Sequence, residues 1–388
     1  MYDVTEVRKL FPHTRHTIYF NTASNGPLST PAYRLQDEYY RTAQMARIGH
    51  QGEVFEALDR IRANGAKVFG CRRTEVGFGF NTTFGINLAA FGLPLKPGDE
   101  VFLSDVEFPA NVYPWLELRN RGIIVRFLKS CDRIFDIDLF RRSISKKTRV
   151  LSLSFVQFFN GYKNDMAAIG QICQAHNIFF VVDAIQGAGA ETMHVDKWQV
   201  DIASAGAQKW LLSSQGSGIF YISEATKKVL IPPWRSWLGV DWRHHWSNLL
   251  DFGRPFEATA RQYELGTYPA PHVMSLDWAL DFITKLGIAD IHRHNHALLD
   301  RLIEYLTGEP FYRITSALDK KHRSSILTFT TDRADVEQVY NRLLKKDILT
   351  ALREGSIRVS VHLFNNDRDL DRLIAALKQA IPRTPGKR

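Results

Sequence analysis

Short unbroken apolar runs alternate with helical periodicity over the first two thirds of the chain. The clearest run, IFFVV at 178–182, is apolar throughout and rich in β-branched and aromatic residues, which predicts a strand covered on both faces. Runs at 76–80, 99–104, 123–127, 149–155 and 218–222 predict further strands. Between them the pattern predicts a helix over 30–69, with Pro31 in its first turn, and another over 166–176. Strand and helix in alternation predict an α/β fold: a mostly parallel central sheet, helices on both faces, right-handed crossovers. Before this region, residues 1–18 read as a short helix and entry loop, and TIYFN as a brief strand.

The pattern changes after 222. A helix-like ISEATKKVL is followed by an aromatic stretch at 233–252 with little periodicity, in a region carrying Trp234, Trp237, Trp242 and Trp246. A long irregular segment of this kind is a lid, a binding loop or a partner surface. From 271 the order is helix (271–286), helix, strand (SSILTFTTD), helix (ADVEQVYNRLLKKD), strand (SIRVSVHLF) and final helix (NDRDLDRLIAALKQAI), a small α+β domain. The expected division is 1–18 as a segment packing on the small domain, 19–266 as the large domain, and 267–388 as a linking helix and the small domain. A chain of 388 residues exceeds what one compact core usually serves.

Composition narrows the function classes. The net charge is +9 and the pI about 9.4, but the basic pairs, Arg72-Arg73 and Lys345-Lys346 among them, are scattered between acids. Nucleic-acid footprints come as stripes or faces, so no nucleic-acid partner is expected. The three cysteines, Cys71, Cys131 and Cys173, form no CxxC pair and read as neither a disulfide framework nor a zinc site. With no apolar leader and no run long enough to span a bilayer, a cytoplasmic protein without a membrane partner is expected. His292 and His296 fall at i, i+4, but no third ligand can be named from sequence, so no metal is expected.

The candidate chemistry lies at strand ends. Asp183 closes the 178–182 run, and Lys209 precedes the strand at 218–222. Open α/β sheets bind ligands outside the carboxyl ends of their strands. A lysine able to form a Schiff base and an acid able to hold a pyridinium nitrogen are what pyridoxal 5'-phosphate (PLP) needs most from a protein. Asn81, Thr82 and Thr83 sit where a helix begins, which fits either a phosphate site or a plain N-cap. Ala23, Ser24 and Gly26 mark either a ligand approach or a simple turn. Phe108 lies just past a strand end, either flat on a planar cofactor or in the core. No GxGxxG, Walker A, GxSxG or HExxH motif occurs.

From FNTASNGPLS to RVSVHLFNN the chain resembles the class V aminotransferase group of fold-type I PLP enzymes, which includes cysteine desulfurases, kynureninases and isopenicillin N epimerase-like proteins. The signal is the combination of D-x-x-Q at Asp183–Gln186 with the later Lys209-Trp210. The resemblance implies that Lys209 carries the cofactor as a Schiff base and moves the substrate Cα proton. Asp183 then partners the pyridine nitrogen, Gln186 the ring hydroxyl, and Thr82 and Thr83 the phosphate. Phe108 matches the ring-stacking position, and Asn111 falls at a position near the cofactor. Arg358 matches the clamp on the substrate carboxylate, a bidentate task suited to guanidinium, with Ala23 and Asn25 on the substrate side. Thr267 in ELGTYP matches a residue that reaches the partner subunit's phosphate, which implies a homodimer. Two positions depart from the family: Gly206 replaces its Ser or Asn, and Gln208 its usual His, so Ser204 or Gln208 would complete the phosphate shell. The late cysteine of desulfurases is absent, since the last is Cys173, and persulfide chemistry is therefore set aside. The implied activity is that of a PLP enzyme acting at the α-carbon of an amino acid, aminotransferase-type. β-Elimination (a C–S lyase) and epimerisation stand as alternatives, and a non-catalytic binding module of the same fold stands against the joint presence of Lys209, Asp183 and Arg358.

Overall fold

The computed structural model describes residues 2–47, 51–242 and 248–381. In chain order the strands are β1 (Ile18–Tyr19), β2 (Val76–Gly79), β3 (Glu100–Ser104), β4 (Ile124–Leu128), β5 (Thr148–Ser154), β6 (Phe179–Asp183), β7 (Ile202–Gly206), β8 (Gly218–Ile222), β9 (Arg313–Ile314), β10 (Ile326–Thr330), β11 (Ile348–Leu349), β12 (Ala351–Arg353) and β13 (Ser356–Ser360). The central sheet has seven strands in the order β2-β8-β7-β6-β5-β3-β4. Neighbours from β7 to β4 are parallel, and β8 runs antiparallel to both β7 and β2. This is the α/β architecture expected from the alternating runs.

Burial explains why those runs are continuous. Along β6, Phe180 and Val182 join one hydrophobic cluster, while Val181 joins another on the opposite face. Side chains alternate across a strand, so a sheet covered twice needs apolar residues at every position. A third cluster holds Leu298, Leu302, Leu327, Phe329, Val359 and Leu373. It lies between the four-stranded sheet β12-β13-β10-β9 and the helices Ile288–Gly308, Val336–Leu344 and Asp367–Ala380.

The chain start is tied to this smaller body. β1 pairs in parallel with β11, Ile18 and Phe20 join its cluster, and Arg8 is ion-paired to Asp369 at 2.6 Å. Residues 20–26 then cross to the large sheet, where they meet the candidate site.

Several boundaries differ from the sequence reading. The helix expected over 30–69 is two helices, Thr30–Gln44 and Gln51–Phe69, because Ala46 takes a left-handed φ of 55° and such a residue ends a helix. The helix expected over 334–347 stops at Leu344, short of Asp347 at φ 56°. The segment that follows holds β11 and the hairpin β12–β13, which the sequence reading missed. Glu354 and Gly355, at φ 48° and 75°, form its two-residue turn, a conformation suited to tight hairpins. The helical stretch expected after Ile222 is one short helix, Glu224–Lys227.

In the tryptophan-rich segment, Trp234 Nε1 donates to the Tyr263 carbonyl at 3.0 Å and Trp242 Nε1 to the Trp237 carbonyl at 2.7 Å. Trp246, His244 and His245 lie outside the described residues. No helix among the described residues is long and apolar enough to cross a membrane.

His362, just past β13, is fully enclosed and donates from Nε2 to the Trp210 carbonyl at 2.9 Å. Burial holds its pKa down at about 3, against an ordinary 6.5. The unfolded chain therefore takes up this proton first. The stability so gained is complete above pH 6.5 and is lost as pH falls towards 3, at about 1.4 kcal/mol per pH unit for one group. Urea midpoints measured from pH 7 to 4 should fall, and the fall should be shallower in His362→Gln. Equal slopes in the two proteins would show that His362 carries none of this dependence.

Candidate active site

A cavity of about 300 Å³ opens where the parallel strands end, between the central sheet and β12–β13. Asp183, the last residue of β6, lines it at 2% exposure. Among the described residues its carboxylate accepts one hydrogen bond, from the Ile185 N–H at 3.0 Å. Burial pushes its pKa up to about 6, with the Ile185 bond and the Lys209 charge pulling the other way. Lys209 lines the same cavity, and burial lowers its amine to about 8. Asp183 opposes that shift, while Arg358 and Arg353 add to it.

Residues 20–26 fix the lysine. The Gly26 N–H donates to the Gln208 carbonyl at 2.7 Å, and a Cβ at Gly26 would lie 2.1 Å from the Lys209 carbonyl oxygen. Ala23 contributes its backbone carbonyl, which accepts from Gln186 Nε2 at 3.0 Å. Gln186 Oε1 accepts in turn from Trp210 Nε1 at 2.9 Å. The amide of Gln186 is thus held from both ends, with one N–H left uncommitted beside the cavity.

Thr82 begins the helix Thr82–Gly92, and Asn81 caps it by accepting from the Phe84 N–H at 2.9 Å. Both readings of this stretch therefore hold together: Asn81 is the cap, while Thr82 and Thr83 present a helix N-terminus to the cavity, an arrangement suited to phosphate. Thr82 Oγ1 accepts from the Gly206 N–H at 3.0 Å, which ties β7 to this helix. The two departures around the lysine are one change. A Cβ at Gly206 would fall 2.4 Å from Gln208 Oε1, so the glycine makes room for the glutamine to fold back over it. Gln208 Oε1 is buried without a hydrogen-bond partner.

Phe108 is 39% exposed, with Lys209 Nζ over its ring at 5.5 Å from the centroid and Phe158 edge-on at 5.2 Å. It is a cavity wall and not a core residue. Arg358, on β13, is 2% exposed. It donates to the Phe158 carbonyl and, from Nη2, to Ser24 Oγ at 2.6 Å. Its Nε has no partner, and no carboxylate lies within ion-pairing distance among the described residues. Burial and the neighbouring Arg353 draw its pKa down to about 9. A buried guanidinium without an acid is expensive, and it marks a place prepared for an anion.

Four expected site residues are not brought to this cavity. Asn111 is fully buried behind it, donating to Glu107 Oε2 at 3.0 Å and accepting from Ser152 Oγ at 2.6 Å. Ser204 packs beneath the helix, where a Cβ at Gly85 would meet its Oγ at 2.5 Å, so Gln208 and not Ser204 faces the cavity. Asn25 turns its amide to the Gly26 carbonyl at 3.1 Å. Thr267 is exposed and away from the chain's own cavity.

Others were missed. Glu107 accepts from Ser154 N–H and Oγ at 2.8 and 2.6 Å, and burial pushes it up to about 7, with Asp183 adding to the rise. Its place in EFPAN beside Phe108 was the available signal. Ser24 was read merely as a small residue, and Arg353 was hidden with the hairpin, whose Glu354-Gly355 turn was its signal.

The third partner of His292 and His296 is Glu191, from a remote segment, with nitrogen–oxygen separations of 3.0 and 3.6 Å. Its carboxylate also takes Lys163 Nζ at 3.2 Å and Ser325 N–H and Oγ at 2.9 Å. An ammonium thus occupies this carboxylate, and the cluster is a buried ion network bridging the two bodies.

The Aminotransferase class-V family model matches residues 18–373. A probable cysteine desulfurase of Methanothermobacter thermautotrophicus is 26% identical, covering 96% of this chain and 97% of its own. The uncharacterized aminotransferase YcbU of Bacillus subtilis is 24% identical, with 94% and 95% covered. Among solved structures, an apo cysteine desulfurase from Thermococcus onnurineus NA1 superposes with a TM-score of 0.85 at 21% identity over 98% of each chain, a likeness of fold.

Gly26→Ala should drive the Lys209 backbone from its place. The expected outcome is a loss of about 1–3 kcal/mol in unfolding free energy, as for other overpacked sites, together with weakened retention of added PLP. Gly52→Ala is the control: it sits in a helix with nothing within 4 Å of the new Cβ, and should leave both unchanged. Equal behaviour of the two variants would remove Gly26 from the account.

Proposed function

The chain belongs to the class V aminotransferase family, an assignment that makes it a PLP-dependent enzyme, and we propose that it holds PLP on Lys209 and transfers the amino group of an amino acid. The observation that carries this reading is the convergence of a desolvated lysine, a desolvated acid and an unpaired buried guanidinium on one cavity.

The residues present fit the cofactor. The helix N-terminus at Thr82 and Thr83 suits its phosphate, and the orphaned Gln208 Oε1 borders the same space. Asp183 suits a protonated ring nitrogen, Gln186 the ring hydroxyl, and the open face of Phe108 the ring itself. When bound, PLP supplies an electron sink for negative charge at the substrate α-carbon.

Each step of the protein's own chemistry follows from its surroundings. Lys209, with its amine at about 8, is neutral in a useful fraction near physiological pH. It is therefore a nucleophile towards a carbonyl and a base for the Cα proton. Asp183, at about 6, is mostly ionised at pH 7 and holds a proton on a neighbouring nitrogen. Arg358 takes the substrate carboxylate, which supplies the counter-charge it lacks, and so fixes which Cα–H bond faces Lys209. Phe108 and Phe158 keep water from that bond. The exposed Thr267, off its own cavity, suits a homodimer in which it reaches the partner's phosphate.

A second reading is β-elimination at a C–S bond. The matched relatives include a probable cysteine desulfurase, yet none of this chain's three cysteines lines the cavity. Persulfide formation calls for a thiolate there, whereas β-elimination does not.

Protein loaded with PLP should show a visible absorption band, and borohydride should fix the cofactor to the peptide bearing Lys209. Lys209→Ala should lose both signals. Incubation with a panel of amino acids and 2-oxo acids should give a new amino acid and a new oxo acid. Release of ammonia and a thiol would replace transamination by elimination, and an inverted amino acid would replace it by epimerisation. Protein that takes up no PLP would end the reading.

A further inference from the structure

The cavity carries more cationic charge than an α-carboxylate accounts for. Of its lining side chains Lys209, Arg353 and Arg358 are basic and Asp183 is the acid. Arg353 ends β12 and Arg358 lies on β13. Ala351 pairs with Arg358 and Arg353 with Ser356, so the two arginines stand on the same face of the hairpin as diagonal neighbours. Their guanidinium groups converge on one hydroxyl: Ser24 Oγ accepts from Arg358 Nη2 at 2.6 Å and from Arg353 Nη2 at 3.4 Å. Among the described residues neither has a carboxylate within ion-pairing distance. Arg353 otherwise donates from Nη1 to the Leu352 carbonyl at 2.8 Å, which brings no counter-charge.

Two guanidinium groups gathered on a neutral oxygen repel each other. The arrangement costs least when an anion lies against each. The two differ in depth: Arg358 is buried, while Arg353 is exposed at the hairpin turn, on the cavity's rim. Resting on the α-carbon chemistry above, the α-carboxylate takes Arg358. We propose that Arg353 forms a second anion subsite and that the substrate is a dicarboxylic amino acid, its side-chain carboxylate held by Arg353. The neighbouring walls, Phe108, Phe158, Ala110 and Ile185, add no polar group that would favour a neutral amide. The Glu354-Gly355 turn places Arg353 at the rim, so the subsite sits where the distal end of a side chain would emerge.

The test compares each acid with its amide: aspartate with asparagine and glutamate with glutamine, with 2-aminoadipate as a longer acid. Affinity is read from the spectral change of the PLP-loaded protein. Wild type should favour the acids by about tenfold to a hundredfold, the range of a charge-assisted hydrogen bond. Arg353→Met should bring the acid-to-amide ratio near one, and Arg353→Lys should restore part of it. High salt should erode the preference, because the subsite is partly exposed. Equal affinities for acid and amide in wild type, or a uniform loss for both in Arg353→Met, would overturn the proposal. A separate arm uses protein without cofactor: calorimetry should show glutarate binding more tightly than butyrate in wild type, and equally weakly in Arg353→Met. Failure to take up PLP would end the functional reading, while this arm would still judge the arginine pair.

Discussion

Charge held out of water without a matching partner is the constraint on which this structure depends. Asp183 is enclosed with one backbone hydrogen bond, Lys209 is enclosed near it, and Arg358 is enclosed with none of its charge neutralised. Each ion removed from water costs several kcal/mol unless something compensates. The compensation here comes from two well-packed bodies with three hydrophobic clusters. The same cost gives the groups their reactivity, since it moves the lysine and the carboxylic acid towards neutrality from opposite sides.

The segment from Phe20 to Gly26 joins these parts. Asn21 bridges to Ser360 beside β13, Ala23 holds Gln186, Ser24 holds Arg358, and Gly26 seats the loop carrying Lys209. A strap seven residues long therefore sets the lysine, the ring-hydroxyl group and the carboxylate clamp relative to one another. It does so largely through backbone atoms, which is why its side chains are small. Ala23 matters through its carbonyl and Gly26 through the absence of a Cβ.

The lining of the cavity separates this chain from its relatives more than the fold does. The same architecture is found in an apo cysteine desulfurase at 21% identity, and one fold hosts many reactions. Around Lys209, the Gly206 and Gln208 pair has to be read as one change, since the glutamine lies where a side chain at 206 would stand. Around Arg358, the hairpin turn brings a second arginine to the rim, and substrate choice follows from that addition.

Asp183 and Lys209 were legible because each lies beside a strand whose apolar run is a local signal. A strand buried on both faces must be apolar at every position, and an acid at its end stands out without any knowledge of the fold. Thr82, Thr83 and Phe108 were legible for the same reason, as residues just past strand ends. The alternation of such runs also determined the α/β class. Asn111 and Ser204 were placed wrongly because depth behind a cavity wall has no local signature. Ser24 with Arg353 and Arg358, or Glu191 with His292 and His296, meet across more than 300 and about 100 residues of chain respectively. Those meetings depend on how two bodies close on each other, and a pattern of period two or 3.6 carries no information about contacts between elements. By itself the sequence determined the sheet, its helices and the ends at which chemistry would gather. The tertiary structure alone decided which charges share the cavity, because charge pairing is set by distance in space and not by position along the chain.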